Sequence, residues 1–202
     1  MTLPKFDFVS ATETIKSPAL VLGWYQTETN EKDTISLPVY KGKRSKETDA
    51  LTEMIRGAKH FGGKKNEVNL LRFFSFAGYS NLFLVGLGNP KKFSMETSRQ
   101  AGAALFHIQK REKVSKVAIQ ADSMFAGAKP SEVEDAVQAF CEGYLLAGYE
   151  YNELKKLDTP PFMVEGAVFL GMKSAGLLKA SERATSIAKA TNFARSLGDR
   201  PG

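Results

Sequence analysis

The residues able to carry chemistry in this 202-residue chain are few and scattered. Gly86-Leu87-Gly88-Asn89-Pro90 stands between a strand-like run and a helix-like run, where the amides of a glycine-rich loop can cradle a phosphate at a helix N-terminus. The dinucleotide pattern fails at its third glycine, which is Lys91, and the same residues serve as a tight strand-to-helix turn. Gly57 and Gly62 have the spacing of a phosphate-binding loop, but Gly63 takes the place of the obligatory lysine. Neither His60 nor His107 has a second histidine at metal-binding spacing. No serine occupies a nucleophile elbow. Cys141, the single cysteine, lies beside Phe140 in an amphipathic pattern and reads as a small buried hydrophobe rather than a nucleophile. Glu132, Glu134 and Asp135 are placed to serve a helix N-terminus. The sequence therefore assigns no catalytic, no cofactor-binding and no metal-ligating residue to this chain.

The elements that would position any site begin as strands. Phe6 and Phe8 alternate with polar neighbours, Ala19 to Tyr25 is an apolar run, and Leu37 to Tyr40 is a short further candidate. Leu51, Met54, Ile55 and Ala58 recur at helical spacing between Thr48 and Phe61, with Gly62-Gly63 as the exit. Val68 to Phe76, a turn over Gly78-Tyr79-Ser80-Asn81, and Leu82 to Val85 read as a hairpin. Helix and strand then alternate. Ser94 caps a helix with Ala101, Ala104, Leu105 and Ile108 on one face, and Lys110 and Arg111 sit at its negative end. Val117 to Gln120 is a strand, and Ser131 with Glu134 predicts a capping box opening a helix striped by Val133, Val137, Phe140, Tyr144 and Leu145. After a proline-bearing loop, Asn152 to Pro161, comes a strand at Ala167 to Leu170. A final helix carries Leu177, Ala180, Ala184, Ile187, Thr191 and Ala194 at spacings of three and four.

Strands separated by helices of this length imply right-handed crossovers and a sheet covered on both faces, while the hairpin adds antiparallel pairing. The expected fold is one α/β domain, a three-layer α/β/α arrangement around a mixed, mostly parallel sheet. Hydrophobic content of 43% and charged content of 25% are those of ordinary globular domains and exclude disorder and low complexity. No apolar run is long enough for a membrane span, and a single cysteine suits a reducing cytoplasm. The net charge of +6 comes from separated clusters: Lys41, Lys43, Arg44 and Lys46; Lys64 and Lys65; Lys91 and Lys92; Lys110, Arg111, Lys113 and Lys116. Nucleic-acid binding requires these to merge into one face and is kept as an alternative.

Three segments resemble the amino-terminal part of the leucyl (cytosol) aminopeptidases of the M17 family. Val85 to Gly88 is similar to its V-G-L-G at a strand end. Glu142-Gly143 through Tyr149, with Tyr151 and Lys155, resembles its E-G-x-x-L-x-x-Y-x-(F/Y)-x-x-x-K pattern. Ala194-Arg195-Ser196-Leu197, with Asp199 and Pro201, resembles A-R-D-L-x-N-x-P, with Ser196 for the aspartate and Asp199 for the asparagine.

The resemblance implies a macro-domain-like fold, residues 1–175 as a noncatalytic N-terminal domain, and 176–202 as a linker helix leading to a catalytic domain beyond Gly202. The closing Gly-Asp-Arg-Pro-Gly, a helix exit with turn residues, fits that expectation. It further implies a cytoplasmic parent that removes N-terminal amino acids from peptides. In the family two divalent metal ions, zinc or manganese, are held in the carboxyl-terminal domain by aspartates, a glutamate and a lysine. The family's N-T-D-A-E-G-R-L signature does not occur between Met1 and Gly202. The parent's expected partners are its own catalytic domain and further copies in a hexamer, with this domain giving scaffold, oligomer contacts and substrate access. A nucleotide or ADP-ribose binder using the Gly86 turn is the remaining alternative.

Overall fold

Ala19–Tyr25 has only apolar side chains and glycine to show, and such a run is satisfied only between other strands with both of its faces covered. The computed structural model, which describes residues 3–10, 17–26, 61–76, 78–152 and 159–200, places it inside a mixed sheet. Among the described residues the strands are β1 (Lys5–Val9), β2 (Ala19–Tyr25), β3 (Val68–Phe76), β4 (Tyr79–Gly88), β5 (Lys116–Gln120) and β6 (Gly166–Leu170), in the order β1-β6-β5-β2-β4-β3. Every neighbouring pair is parallel except the hairpin β3–β4. The described helices are α1 (Met95–Arg111), the single turn α2 (Ala121–Met124), α3 (Val133–Ala147) and α4 (Ala175–Gly198). The expected strand at 37–40 and the helix at 48–61, all but its last residue Phe61, lie outside the described residues, as do His60 and the cluster from Lys41 to Lys46.

The crossovers β4–α1–β5 and β5–α3–β6 step the same way across the sheet, and a common right hand puts both helices on one face. That face carries Val21, Phe83, Val117, Ile119 and Phe169, packed against Leu105, Phe140 and Tyr144 of the helices. Its centre is aromatic: Tyr144 stands edge-on to Phe6 at 5.4 Å and to Phe106 at 5.2 Å, and Phe140 edge-on to Phe169 at 5.6 Å. The opposite face is buried too, through Leu20, Leu22, Trp24, Leu82, Leu84 and Val168. The fold class is as expected, a single α/β domain with a mixed, mostly parallel sheet.

Glycine decides how closely the two covering helices approach. A Cβ at Gly102 of α1 would collide with the carbonyl oxygen of Phe140, and one at Gly143 of α3 with that of Arg99. Ser98, on the same seam, donates its hydroxyl to the Ala136 carbonyl at 2.6 Å. Behind this seam the buried Gln109 is fully used: its amide donates to Ser115 O at 3.1 Å and Gly166 O at 3.3 Å, and its oxygen accepts from Tyr144 Oη at 2.6 Å. Buried polar atoms carry a desolvation cost unless they are matched in this way.

Three expectations change. The turn over 78–81 is shorter, because Gly78 at φ +86° reverses the chain and Phe76 already pairs with Tyr79, so Tyr79 to Asn81 belong to β4. Ser131 and Glu134 form no capping box: Ser131 lies in a 3-10 turn, Pro130–Glu132, and α3 begins at Val133 without a side-chain cap. The final helix buries Leu177, Ala180, Ser181, Ala184 and Ala188, whereas Ile187, Thr191 and Ala194 are exposed, because the last three turns extend past the core.

Two outcomes follow from this packing. Gly143→Ala is expected to lower unfolding stability by about 2–3 kcal/mol despite the better helix propensity of alanine, read as a drop in urea midpoint at unchanged slope. Tyr25 bridges Met124 O and the Gly127 amide, and burial pushes its phenol up from 10.0 to about 12 against the opposing Gly127 hydrogen bond. The folded state thus favours the neutral phenol, so its contribution is intact below pH 10 and is lost as pH rises through 12. The stability difference between wild type and Tyr25→Phe should therefore shrink by about 2 kcal/mol between pH 10 and pH 12 in base titrations.

Candidate functional site

The Gly86 turn is built for chain reversal. Gly88 takes φ +71° at the end of β4, and the Asn89 side chain accepts from the Lys91 amide at 2.8 Å to start the 3-10 turn Pro90–Lys92. The amides a phosphate would need are already committed, Gly86 N to Glu67 O at 2.7 Å and Gly88 N to Gly63 O at 2.8 Å. Lys64 O sits where a side chain of residue 86 would stand, and the Lys65 stem packs on Gly88. The turn is a strand-to-helix connection with no open anion cradle.

The other sequence candidates stay apart. His107 is exposed on α1. Cys141 is fully buried, and burial, with the Glu142 charge as a second cause, pushes its thiol well above its ordinary value. Among the described residues no three His, Cys, Asp or Glu side chains gather in a group able to hold a metal ion. No described helix is long and apolar enough to cross a membrane. Within the basic segment 110–116, Lys110 pairs with Glu150, Arg111 with Glu112 at 3.0 Å, and Lys116 with Asp7 at 2.9 Å. These pairs neutralise much of the cluster on which a nucleic-acid face would depend.

The structure does bring together residues that the sequence leaves far apart. Helix α4 lies alongside α3 and runs in the same direction, from Glu134 beside Gly176 to Arg183 Nε donating to Gln138 Oε1 at 2.7 Å. Gln138 continues to Glu142 Oε1 at 2.9 Å, and Arg99 of α1 meets the other oxygen of Glu142 at 3.0 Å while reaching Glu96 at 2.7 Å. Glu142 is buried in this network, and its hydrogen bond is the main reason the Arg99 pKa is raised. Glu96 is correspondingly lowered, first by its hydrogen bond from Arg99.

Further along, α3 ends with no basic residue in its last turn, and Arg195 of α4 fills that role. Its guanidinium lies 4.1 Å over the Tyr149 ring and donates to the Leu146 carbonyl at 3.2 Å, while Tyr149 Oη donates to Asp199 at 2.7 Å. Tyr149 ends one of the sequence segments singled out above, and Arg195 and Asp199 belong to another. In space they form one cluster at the junction of α3 and α4. Helical spacing alone gave no sign of it, because these side chains meet across two elements.

Residues 31–157 match the family model described as the N-terminal domain of the cytosol aminopeptidase family. The chain belongs to that family. It is 30% identical over 192 residues to a probable cytosol aminopeptidase of Bdellovibrio bacteriovorus, a match covering 94% of this chain and 36% of that protein. Against the Bacillus subtilis counterpart the identity is 27% over 154 residues, covering 75% of this chain and 30% of the relative. A mutant of tomato leucine aminopeptidase superposes with a TM-score of 0.76 at 18% identity, over 98% of this chain and 39% of that one, which shows the shared fold. The chain thus spans about a third of the length of the curated relatives it matches.

Arg195→Ala removes the ring stacking and the α3 cap together while leaving the core untouched. Amide hydrogen exchange over residues 192–199 is expected to quicken roughly two- to fivefold with the melting temperature of the sheet unchanged. Tyr149→Phe, which keeps the ring and deletes only the bond to Asp199, should give a smaller effect.

Proposed function

We propose that these residues are the noncatalytic N-terminal domain of an aminopeptidase that removes N-terminal amino acids from peptides. Its chemistry would use two divalent metal ions, zinc or manganese, held in a separate catalytic domain that is this domain's principal partner. A metal pair of that kind lowers the pKa of bound water and polarises the scissile carbonyl. In this reading the domain is residues 1–175, and residues 176–202 lead onward as a linker helix in a cytoplasmic, hexameric protein. The domain supplies scaffold, oligomer contacts and control of substrate access, and none of its own side chains takes a catalytic, metal-binding or cofactor-binding part.

The observation that supports this reading best is the shape of α4. Its first half is sealed to α3, while its last three turns turn Ile187, Phe193 and Leu197 toward solvent with exposures of 44%, 63% and 51%. Phe193 and Leu197 lie on the side of the helix opposite the buried Ala184 and Ala188, which suits a helix shared between two bodies. The Arg195–Tyr149–Asp199 cluster fixes that helix where it leaves the domain.

The test compares protein made from the complete reading frame with residues 1–202 alone, using leucine p-nitroanilide with added zinc or manganese. The complete protein is expected to release p-nitroaniline and to stop on chelation, and the 202-residue chain to release none. Hydrolysis by residues 1–202 would overturn the noncatalytic role. A metal-loaded complete protein without activity toward any aminoacyl anilide would overturn the aminopeptidase reading.

A further inference from the structure

Lys64 and Lys65 precede β3 and Lys91 and Lys92 follow β4, so the antiparallel hairpin returns two lysine pairs, far apart in sequence, to the same end of the sheet. The turns that carry them touch. Gly88 N donates to Gly63 O at 2.8 Å, Lys64 O lies against Gly86, and the Lys65 stem packs on Gly88, two residues before the 3-10 turn Pro90–Lys92. Two separate basic clusters of the sequence are therefore one cluster in space.

The backbone beneath them is fixed. The Glu67 carboxylate accepts from Gly62 N and Lys64 N, both at 3.0 Å, and Asn66, at φ +66°, donates its side-chain amide to Gln100 of α1 at 3.2 Å. On the other turn Lys92 N donates to Asn89 O at 3.0 Å. All four lysines are exposed, and among the described residues none of their ammonium groups has an ion-pair partner. The carboxylates close by are already engaged, Glu67 by those two amides and Glu96 by Arg99 at 2.7 Å and Gln100 at 3.0 Å. Glu96, lowered chiefly by the hydrogen bond from Arg99, also feels the charge of Lys65, which puts that ammonium near the first turn of α1. Like charges held together on rigid turns without counter-charges focus a positive potential that draws in an anion.

The free charge is also compact. The remaining basic segment, 110–116, lies at the far end of α1, on the order of 25 Å away, and three of its four cations are paired. A duplex backbone calls for positive charge spread along a broad face, whereas four ammonium groups on two touching turns match a short anion of dense charge. The amides of Gly86 and Gly88 are committed to main-chain carbonyls, so recognition falls to the lysine side chains.

We propose that Lys64, Lys65, Lys91 and Lys92 bind a short linear oligophosphate, either free or as the phosphate chain of a nucleoside triphosphate. The ammonium groups meet successive phosphates as point charges, on stems long enough to follow the ligand. This site does not depend on the aminopeptidase reading and involves none of the residues that support it.

The probes are sodium tripolyphosphate, adenosine triphosphate, inorganic monophosphate and a short DNA duplex of random sequence, each titrated at low salt into the 202-residue chain while amide NMR shifts locate the contact. Tripolyphosphate is expected to bind roughly tenfold more tightly than monophosphate, to shift the amides of 64–65 and 91–92, and to be released as salt rises. Lys65→Gln combined with Lys91→Gln keeps both stems and should weaken tripolyphosphate roughly tenfold at an unchanged melting temperature. Lys189→Gln, at an exposed position of α4, should leave binding unaltered. Equal affinity for tripolyphosphate and adenosine triphosphate supports a site that reads the phosphate chain alone, and a preference for either one supports that source. Tripolyphosphate binding no tighter than monophosphate, or undiminished in the double variant, overturns the proposal. Tighter binding of the duplex than of tripolyphosphate overturns the assigned occupant.

Discussion

The near-contact of α1 and α3 at Gly102 and Gly143 governs how the rest of this molecule is put together. Without side chains at those two positions the backbones come within van der Waals reach of each other, and the surrounding groups pair across the seam. Ser98 reaches the Ala136 carbonyl, Arg99 reaches Glu142, and Tyr144 is pushed down onto Gln109 and the aromatic centre of the core. Well-packed interiors yield little to added volume, so a methyl group at the crossing would spread its disturbance through all of these. The glutamate and glycine that open the segment resembling the family pattern, Glu142-Gly143, are thus a packing pair: the glycine admits the neighbouring backbone, and the carboxylate beside it ties down an arginine from that neighbour.

From that contact the design runs outward in layers of decreasing burial. The sheet face is apolar and aromatic, the α1–α3 seam is glycine, alanine and serine, and the α3–α4 seam is alanine and serine flanked by the chain Arg183, Gln138, Glu142 and Arg99. At the far end the interactions are those of partly exposed groups, a guanidinium on a ring and a phenol on a carboxylate. The chain matches the N-terminal domain of its family. Its interior contains no cluster able to hold a metal among the described residues, and its most individual surface feature is the exposed half of α4.

The sequence carried the elements well wherever local physics determines them. Ala19–Tyr25 was legible as a buried strand because apolar runs of that length have few other uses, and Ser94 announced α1 because its hydroxyl does accept from the Thr97 amide at 3.2 Å. Ser131 with Glu134 misled because the proline at 130 starts a 3-10 turn instead, which brings the chain into α3 one step later. The stripe over Ile187, Thr191 and Ala194 misled for another reason: periodicity reports that a face is apolar and says nothing of which body covers it. The resemblance located Tyr149 and Arg195 in sequence but not beside each other, since their meeting depends on α3 and α4 running in parallel. The order of strands in the sheet was illegible, because it is settled by the crossovers and leaves no mark on residue type.

Helix α4, at 24 residues, is on the order of 36 Å long; its nearer half is packed tightly, and its far end is held by Arg195 and Asp199. A rod clamped in this way behaves as a lever. Any slight rolling of α3, or any loosening of the arginine that pins the rod near its tip, is magnified into a sideways sweep of that tip. Distant changes in the sheet are then felt at the end of one stiff shaft as a change of aim.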